Sequence, residues 1–204
     1  MGRGELTAAP FEYPSEPHQR RHGPAGYASD KPYRPWLLDE FCFRCIYCLK
    51  RLVWAPTDIW TVDHLVSREE TPELEFDYDN LVLACQFCNR LKDTNRVPDP
   101  CRVAYGHCLR VERNAIVTPL NRSGRRLIEV LRLNHPRRVE WRQKHLRLPA
   151  VLARYNRALY EQWMGFPVDL PDLRRNKPPE NRRPAGVNDS WFAKRERNEL
   201  PAVY

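Results

Sequence analysis

Two C-x-x-C pairs, Cys45-Ile-Tyr-Cys48 and Cys85-Gln-Phe-Cys88, stand 36 residues apart in a chain of 204. Two residues between thiolates let one tight turn aim both sulfurs at a single ion, and two such turns make the tetrahedral four-sulfur cage that zinc prefers. A closed cage of this kind has no open coordination position, so it holds a fold together and performs no chemistry. It would join residue 45 to residue 88 and clamp whatever lies between. Cys42-Phe-Arg-Cys45 is also C-x-x-C. The 45/48 pair is preferred because its turn falls just before Lys50 and the strand that follows. Cys101 and Cys108 are read as free or buried thiols, with Cys108 as an alternative ligand. The seven cysteines cannot all pair within one chain, and nothing around the pairs looks like a thioredoxin redox site.

The remaining bounds are coarser. The length fits one compact domain with tails. A mean hydropathy of −0.71 and the lack of any long apolar run exclude a membrane span. The opening stretch MGRGELTAAPFEYPSEPHQRRHG has no secretory h-region, so a cytoplasmic location is expected. A net charge of +8 favours a polyanionic partner, nucleic acid being the commonest. That charge is uneven. Residues 121–150 hold nine Arg/Lys against Glu129 and Glu140, a local +7, whereas residues 63–80 hold seven acids against Arg68, a local −6.

Twelve of the 19 prolines fall in residues 1–35 and 165–204, which are read as Pro/Arg-rich extended tails pinned by aromatics such as Trp36, Phe166, Trp191 and Phe192. Residues 36–110 form the clamped core, and residues 111–164 a basic helical region packed on it. WLLDEF (36–41) predicts a helical turn, IWTVDHLV (59–66) a strand, and LVLACQFCNRLKD (81–93) a short strand feeding a helix, with a polar loop at 67–80 between the strands. Ser123 is expected to cap a helix ending near Asn134, and another should start at His135-Pro136 and break or kink at Pro149. A last helix, about 150–164, places Val151, Tyr155, Leu159 and Trp163 on one stripe expected to pack inward.

Inside the clamp stand Asp63-His64 at a strand end, Asn80 sixteen residues on, and Asn89 directly after the last cysteine, followed by Arg90 and Lys92. With CIYC (45–48), TVDHLVS (61–67) and DNLVLACQFCNRLKD (79–93), the chain resembles the HNH endonucleases in the version with a zinc ribbon around a ββα-metal core. A weaker likeness continues through AIVTPLNRSGRRLIEVLRLN (115–134). The resemblance implies an α+β fold with a small ββα-metal core and a four-cysteine zinc ribbon, followed by the helical region and the tails. It implies that Asp63 and Asn89 hold one catalytic divalent cation, Mg²⁺ or Mn²⁺, that His64 is the general base, and that Asn80 holds the loop and the His64 backbone. Cys45, Cys48, Cys85 and Cys88 would take structural Zn²⁺. Asn89 stands where the family more often has histidine, and keeps an oxygen ligand suited to a hard cation.

The chemistry is coherent, because imidazole titrates near neutrality and can accept a water proton while one cation stabilises the departing oxygen. Arg90, Lys92, Arg122, Arg125, Arg126, Arg137 and Arg138 are the expected nucleic-acid contacts, made to phosphates in a salt-sensitive way. The expected function is a metal-dependent DNA endonuclease of restriction or anti-phage defence, working alone, as a homo-oligomer or with a protein partner. The alternatives are a zinc-ribbon nucleic-acid-binding module without cleavage, a nuclease subunit acting only within a larger complex, and a toxin-like RNA or nonspecific nuclease.

Overall fold

The computed structural model describes residues 9–204, so residues 1–8 of the expected N-terminal extension lie outside the described residues. The chain runs through β1 (Pro24–Ala25), α1 (Arg34–Glu40), β2 (Trp60–His64), β3 (Leu81–Cys85), α2 (Gln86–Lys92), β4 (Leu109–Val111), β5 (Val117–Pro119), α3 (Arg122–Leu131), α4 (Pro136–Tyr155), α5 (Arg157–Met164), β6 (Glu180–Asn181) and α6 (Trp191–Glu196). It is an α+β fold whose centre is a ββα unit. β2 and β3 pair antiparallel from Trp60↔Cys85 to His64↔Leu81, and α2 follows β3 without a loop. Every residue of β3 is buried, because α1 and α2 both pack on it. β2 alternates only in part and leaves His64 half-buried at its end.

The first C-x-x-C is a hairpin turn. Cys45 N donates to Lys50 O, Leu49 N donates to Cys45 O, and Arg44 bridges Arg51. Ile46 N reaches Leu83 O at 3.1 Å, which ties the turn to β3.

Several local expectations differ from what forms. The cap of α3 is Asn121, whose Oδ1 accepts from Gly124 N at 2.9 Å, rather than Ser123, and the helix ends at Leu131. The β4–β5 hairpin occupies residues 109–119, at the start of the region expected to be helical. α4 runs unbroken through Pro149, because its face is held on both sides of the proline: Trp141 packs on Phe11 and Trp54, His145 on Trp141 and Trp163, and Leu152 is buried. The break falls at Asn156, whose side chain caps α5 through Leu159 N. Val151, Tyr155 and Leu159 therefore do not share one helix, and they stand 52%, 73% and 41% exposed rather than packed. Of that stripe Trp163 packs against Trp54 and His145, while Tyr155 is met over its ring by the guanidinium of its neighbour Arg154.

The proline-rich segments are pinned to the core and are extended only in part, since 3-10 turns form at Lys31–Tyr33, Leu173–Arg175 and Pro184–Asp189 and α6 lies in the C-terminal one. Phe11 and Tyr13 are buried, β1 pairs with β6, and Phe166 packs on Phe43, Trp191 and Tyr204. Their chief anchor is a buried pair of acids at the end of α1. Asp39 accepts from Arg21 Nη2 and His22 Nε2 through Oδ1, and from Trp191 N through Oδ2. Glu40 accepts from His18 Nε2 (2.7 Å), the backbone N–H groups of Arg21 and His22, and the Tyr78 hydroxyl. Two carboxylates at full burial are tolerable only because every direction around them supplies a donor.

Burial opposes ionisation of Glu40, but the His18 hydrogen bond and the Arg21 N–H overcome it and hold the carboxyl at about 2, below the usual 4.5. A depressed carboxyl stabilises the fold fully above its unfolded pKa and loses that contribution as pH falls toward the folded one. Below about pH 4.5 the stability difference between wild type and Glu40→Gln should shrink by an amount on the order of 3 kcal/mol toward pH 2. Urea unfolding across that range measures it, and a difference independent of pH would remove Glu40 from this role.

Candidate active site and metal centre

Cys85 closes β3 and Cys88 lies in the first turn of α2, so the strand-to-helix junction itself forms the second knuckle. The sulfurs of Cys45, Cys48, Cys85 and Cys88 all lie within 4.8 Å of one another, and all four residues are buried. Four thiolates about 2.3 Å from one ion in tetrahedral array stand about 3.8 Å apart. The Cys48–Cys85 sulfurs are separated by 3.8 Å. The donor set therefore suits zinc, and Cys42, Cys101 and Cys108 stand outside it as free thiols. Hydrogen bonds shared with the other three cysteines push the Cys48 thiol well below its ordinary range, and Arg138 adds to this. Arg138 Nη2 donates to Cys88 Sγ at 3.1 Å and Nη1 to Leu131 O. Its guanidinium is thus committed to the thiolate cluster, which corrects its reading as a phosphate contact.

Asp63, His64 and Asn89 line one cleft of about 580 Å³. Asp63 is 3% exposed, and its Oδ2 accepts from the Tyr47 hydroxyl at 2.6 Å while Oδ1 lies 3.4 Å from Lys92 Nζ. Burial raises the Asp63 pKa against the pull of Lys92 and Tyr47. Lys92 also donates to His64 O. At 1% exposure it cannot meet a phosphate, so its expected nucleic-acid contact is replaced by a hold on Asp63 and on the His64 backbone.

His64 Nε2 lies 2.9 Å from Glu75 O. A carbonyl can only accept, so Nε2 carries the hydrogen and Nδ1 presents a lone pair. Glu75 belongs to the 67–79 loop, and that loop is held by Asn80. The Asn80 amide donates to Val66 O and Leu74 O and accepts from Val66 N, clasping both ends of the loop. Asn80 thus holds the loop that carries Glu75, whose carbonyl lies against His64 Nε2.

The acids of the loop are matched by arginines from elsewhere. Arg96 pairs with Glu70, Arg182 with Asp77, and Arg183 with both oxygens of Asp79. These three arginines offset half of the local −6, two of them from the C-terminal segment.

Asp63 and Asn89 both line the cleft and carry oxygen donors of the kind a hard divalent cation takes, and the Asp63 carboxylate is already met by the Tyr47 hydroxyl and Lys92 Nζ. Of the expected nucleic-acid residues, Arg90 lines the cleft and Arg122, Arg125, Arg126 and Arg137 do not. Arg122, Arg125 and Arg137 are exposed, while Arg126 donates to Arg96 O. Sequence reasoning misses Tyr47, Lys31 and Arg34. The first sits inside a C-x-x-C, and the other two come from a segment 30 residues upstream, with no local signal. It misassigns Lys92, although the i+3 spacing from Asn89 places both on neighbouring positions of one helix.

Residues 45–95 match the HNH endonuclease family model. No curated protein matches the chain. The HNH match begins on the first metal-cluster cysteine and takes in Asp63, His64, Asn80 and Asn89. It places the segment with nucleases that use a divalent metal and act on nucleic acid. Among the described residues, no helix is long and apolar enough to cross a membrane.

Metal analysis should find about one zinc per chain. Cys85→Ser should lose it and lose the cooperative unfolding transition. A folded Cys85→Ser protein with unchanged zinc would overturn the ligand assignment.

Proposed function

We propose that the chain is a metal-dependent DNA endonuclease in which His64 is the general base and Asp63 and Asn89 hold the catalytic Mg²⁺ or Mn²⁺. The observation that carries this reading is the convergence of Asp63, His64 and Asn89 on one cleft, with the His64 Nε2–H spent on Glu75 O and Nδ1 left to accept a proton. A water attacks the scissile phosphorus and gives its proton to Nδ1, forming imidazolium, while the bond from phosphorus to the 3′ oxygen breaks. Glu75 O stabilises the imidazolium through the hydrogen bond it already accepts. Asp63 and Asn89 would hold the cation, which would supply Lewis-acid stabilisation of the phosphoryl and departing oxygens. Tyr47 and Lys92 keep the Asp63 carboxylate oriented, and Asn80 keeps Glu75 O where His64 needs it.

Lys31, Arg34 and Arg90 line the cleft and form no ion pair among the described residues, so they are free to grip the flanking phosphates. Asp30, Glu69 and Asp93 line it as well. Attraction therefore comes from cations placed close to His64 and not from a strongly positive field over the whole cleft. The exposed Arg122, Arg125 and Arg126 on α3 are proposed to touch the duplex backbone farther out. Restriction or anti-phage defence is the proposed setting, and it predicts that expression lowers phage plaquing and that His64→Ala abolishes the protection.

With supercoiled plasmid and Mg²⁺ or Mn²⁺, wild type should nick or cut. His64→Ala should be slower by about 10²–10⁴-fold, and Asn80→Ala by about 10²-fold through misplacement of the base. Nicking by His64→Ala at the wild-type rate would sink the mechanism. Binding without cleavage of duplex DNA, single-stranded DNA or RNA by wild type would leave the zinc-ribbon binding module as the better reading.

A further inference from the structure

α2 has two working faces. Residues two apart on a helix point about 200° away from each other, so Asn89 turns to the cleft and Phe87, with Leu91 one turn later, turns the other way. What Phe87 and Leu91 meet is a second cavity, of about 650 Å³, walled on the opposite side by α4 and floored by Cys48 and Cys85. None of the residues lining this cavity lines the cleft.

Its chemistry is specific. Phe87 is 51% exposed, an unusual cost for a phenylalanine, with the Arg138 guanidinium 5.1 Å from its ring centroid; Leu91 and Trp141 extend the wall, and Lys50 Nζ lies 5.4 Å from the Trp141 ring centroid. Around them stand Lys50, Arg132 and Arg137. Lys50 is paired with Asp58, whereas Arg132 and Arg137 are exposed and form no ion pair among the described residues. An aromatic platform rimmed by unpaired guanidinium groups answers a planar ring joined to an anion. It does not answer a purely apolar ligand, which would leave the arginines unused, nor intact duplex, whose bases are stacked and whose backbone offers no ring to Phe87. Location narrows the choice. A helix with its side chains is about 10 Å across, the rise of about three nucleotides of a stacked strand. A strand with its scissile phosphate beside His64 would bring a near neighbour to this cavity.

We infer that the cavity between α2 and α4 is a subsite for an unstacked nucleotide of the substrate strand, its base on Phe87 and its phosphate between Arg132 and Arg137. The inference rests on the nuclease reading for the identity of the strand, and on the cavity's own lining for the ligand chemistry. The subsite favours DNA with a flipped, mismatched or single-stranded nucleotide near the cut over fully paired DNA.

The test uses the full-length, zinc-loaded His64→Ala protein without added Mg²⁺, so that binding is read without cleavage. The probes are a short single-stranded oligonucleotide carrying 2-aminopurine, the fully paired duplex of the same sequence, that duplex with one unpaired 2-aminopurine, and free dAMP as competitor. Single-stranded and unpaired-base probes should bind with a change in 2-aminopurine fluorescence that the paired duplex does not show. Adding Phe87→Ala should abolish that change and weaken binding about tenfold, within the usual range for loss of one base–aromatic stack. Arg132→Ala with Arg137→Ala should lower the slope of log affinity against log salt by about two. Unaltered zinc content and unfolding midpoint confirm that these exposed substitutions leave the fold intact.

Equal binding and equal fluorescence change with and without Phe87 would overturn the subsite, as would dAMP binding as tightly as the oligonucleotide. The two readings fail separately. Wild type that cuts plasmid while Phe87→Ala changes nothing keeps the nuclease and removes the subsite. Phe87-dependent binding by a wild type that never cuts keeps the subsite and removes the nuclease.

Discussion

Four sulfurs drawn within 4.8 Å of one another set the geometry on which the rest of the site depends. Cys85 and Cys88 straddle the junction of β3 and α2, so the cage fixes the angle at which the helix leaves the sheet, and Asn89 is the next residue. The opposing turn contributes more than two ligands. Between Cys45 and Cys48, Ile46 N bonds Leu83 O and Tyr47 sends its hydroxyl to Asp63. One proposed ligand of the catalytic cation thus follows a cluster sulfur in sequence, and the other is steered by a side chain held between two more. Arg138 carries the same constraint outward, since its bond to Cys88 Sγ fastens α4 to the cluster. An ion with no open coordination position would in this way govern a reaction in which it takes no part.

What could be read from the sequence is what depends on short separations. The two C-x-x-C turns, the strand, loop, strand and helix order, the Asp63-His64 strand end and the loop-holding Asn80 are each encoded within a turn or an element. The residues that escaped act across the fold. Lys31 and Arg34 reach the cleft from a proline-rich segment whose composition says only that it is extended. Arg138 belongs to a run of arginines that reads as one basic face, and only packing separates it from Arg137 beside it, the one bound to a thiolate and the other exposed. The stripe of Val151, Tyr155 and Leu159 failed for a related reason. Spacing of four marks a shared face only if the helix is continuous, and Asn156 offers the backbone a cap that ends one helix and starts another.

The surplus of basic residues also changes meaning once its partners are visible. Arg21, Arg182 and Arg183 answer Asp39, Asp77 and Asp79, and Arg51 and Arg142 are buried against backbone carbonyls. Much of the charge in the flanking segments is therefore structural, binding those segments to α1 and to the loop that carries Glu75. Arginines counter Glu70, Asp77 and Asp79, which lowers the barrier that the −6 loop poses to a phosphate, while Glu69 still lines the cleft.

Among the described residues, cations without an ion pair include Lys31 and Arg34 around the start of α1 and several around α2 and the helices after it. Arg90 faces the cleft, Arg132 and Arg137 face the cavity behind it, and Arg122 and Arg125 lie exposed on α3. A seven-residue helix cannot bury both of its sides and still serve a substrate. This one is held at its start by Cys85 and Cys88 and at its end by Lys92 on Asp63, which leaves Asn89 and Phe87 free to face opposite ways. Anchoring the helix by its ends through a metal cluster and a buried ammonium is what permits its two flanks to remain open, and a strand crossing α2 would meet both.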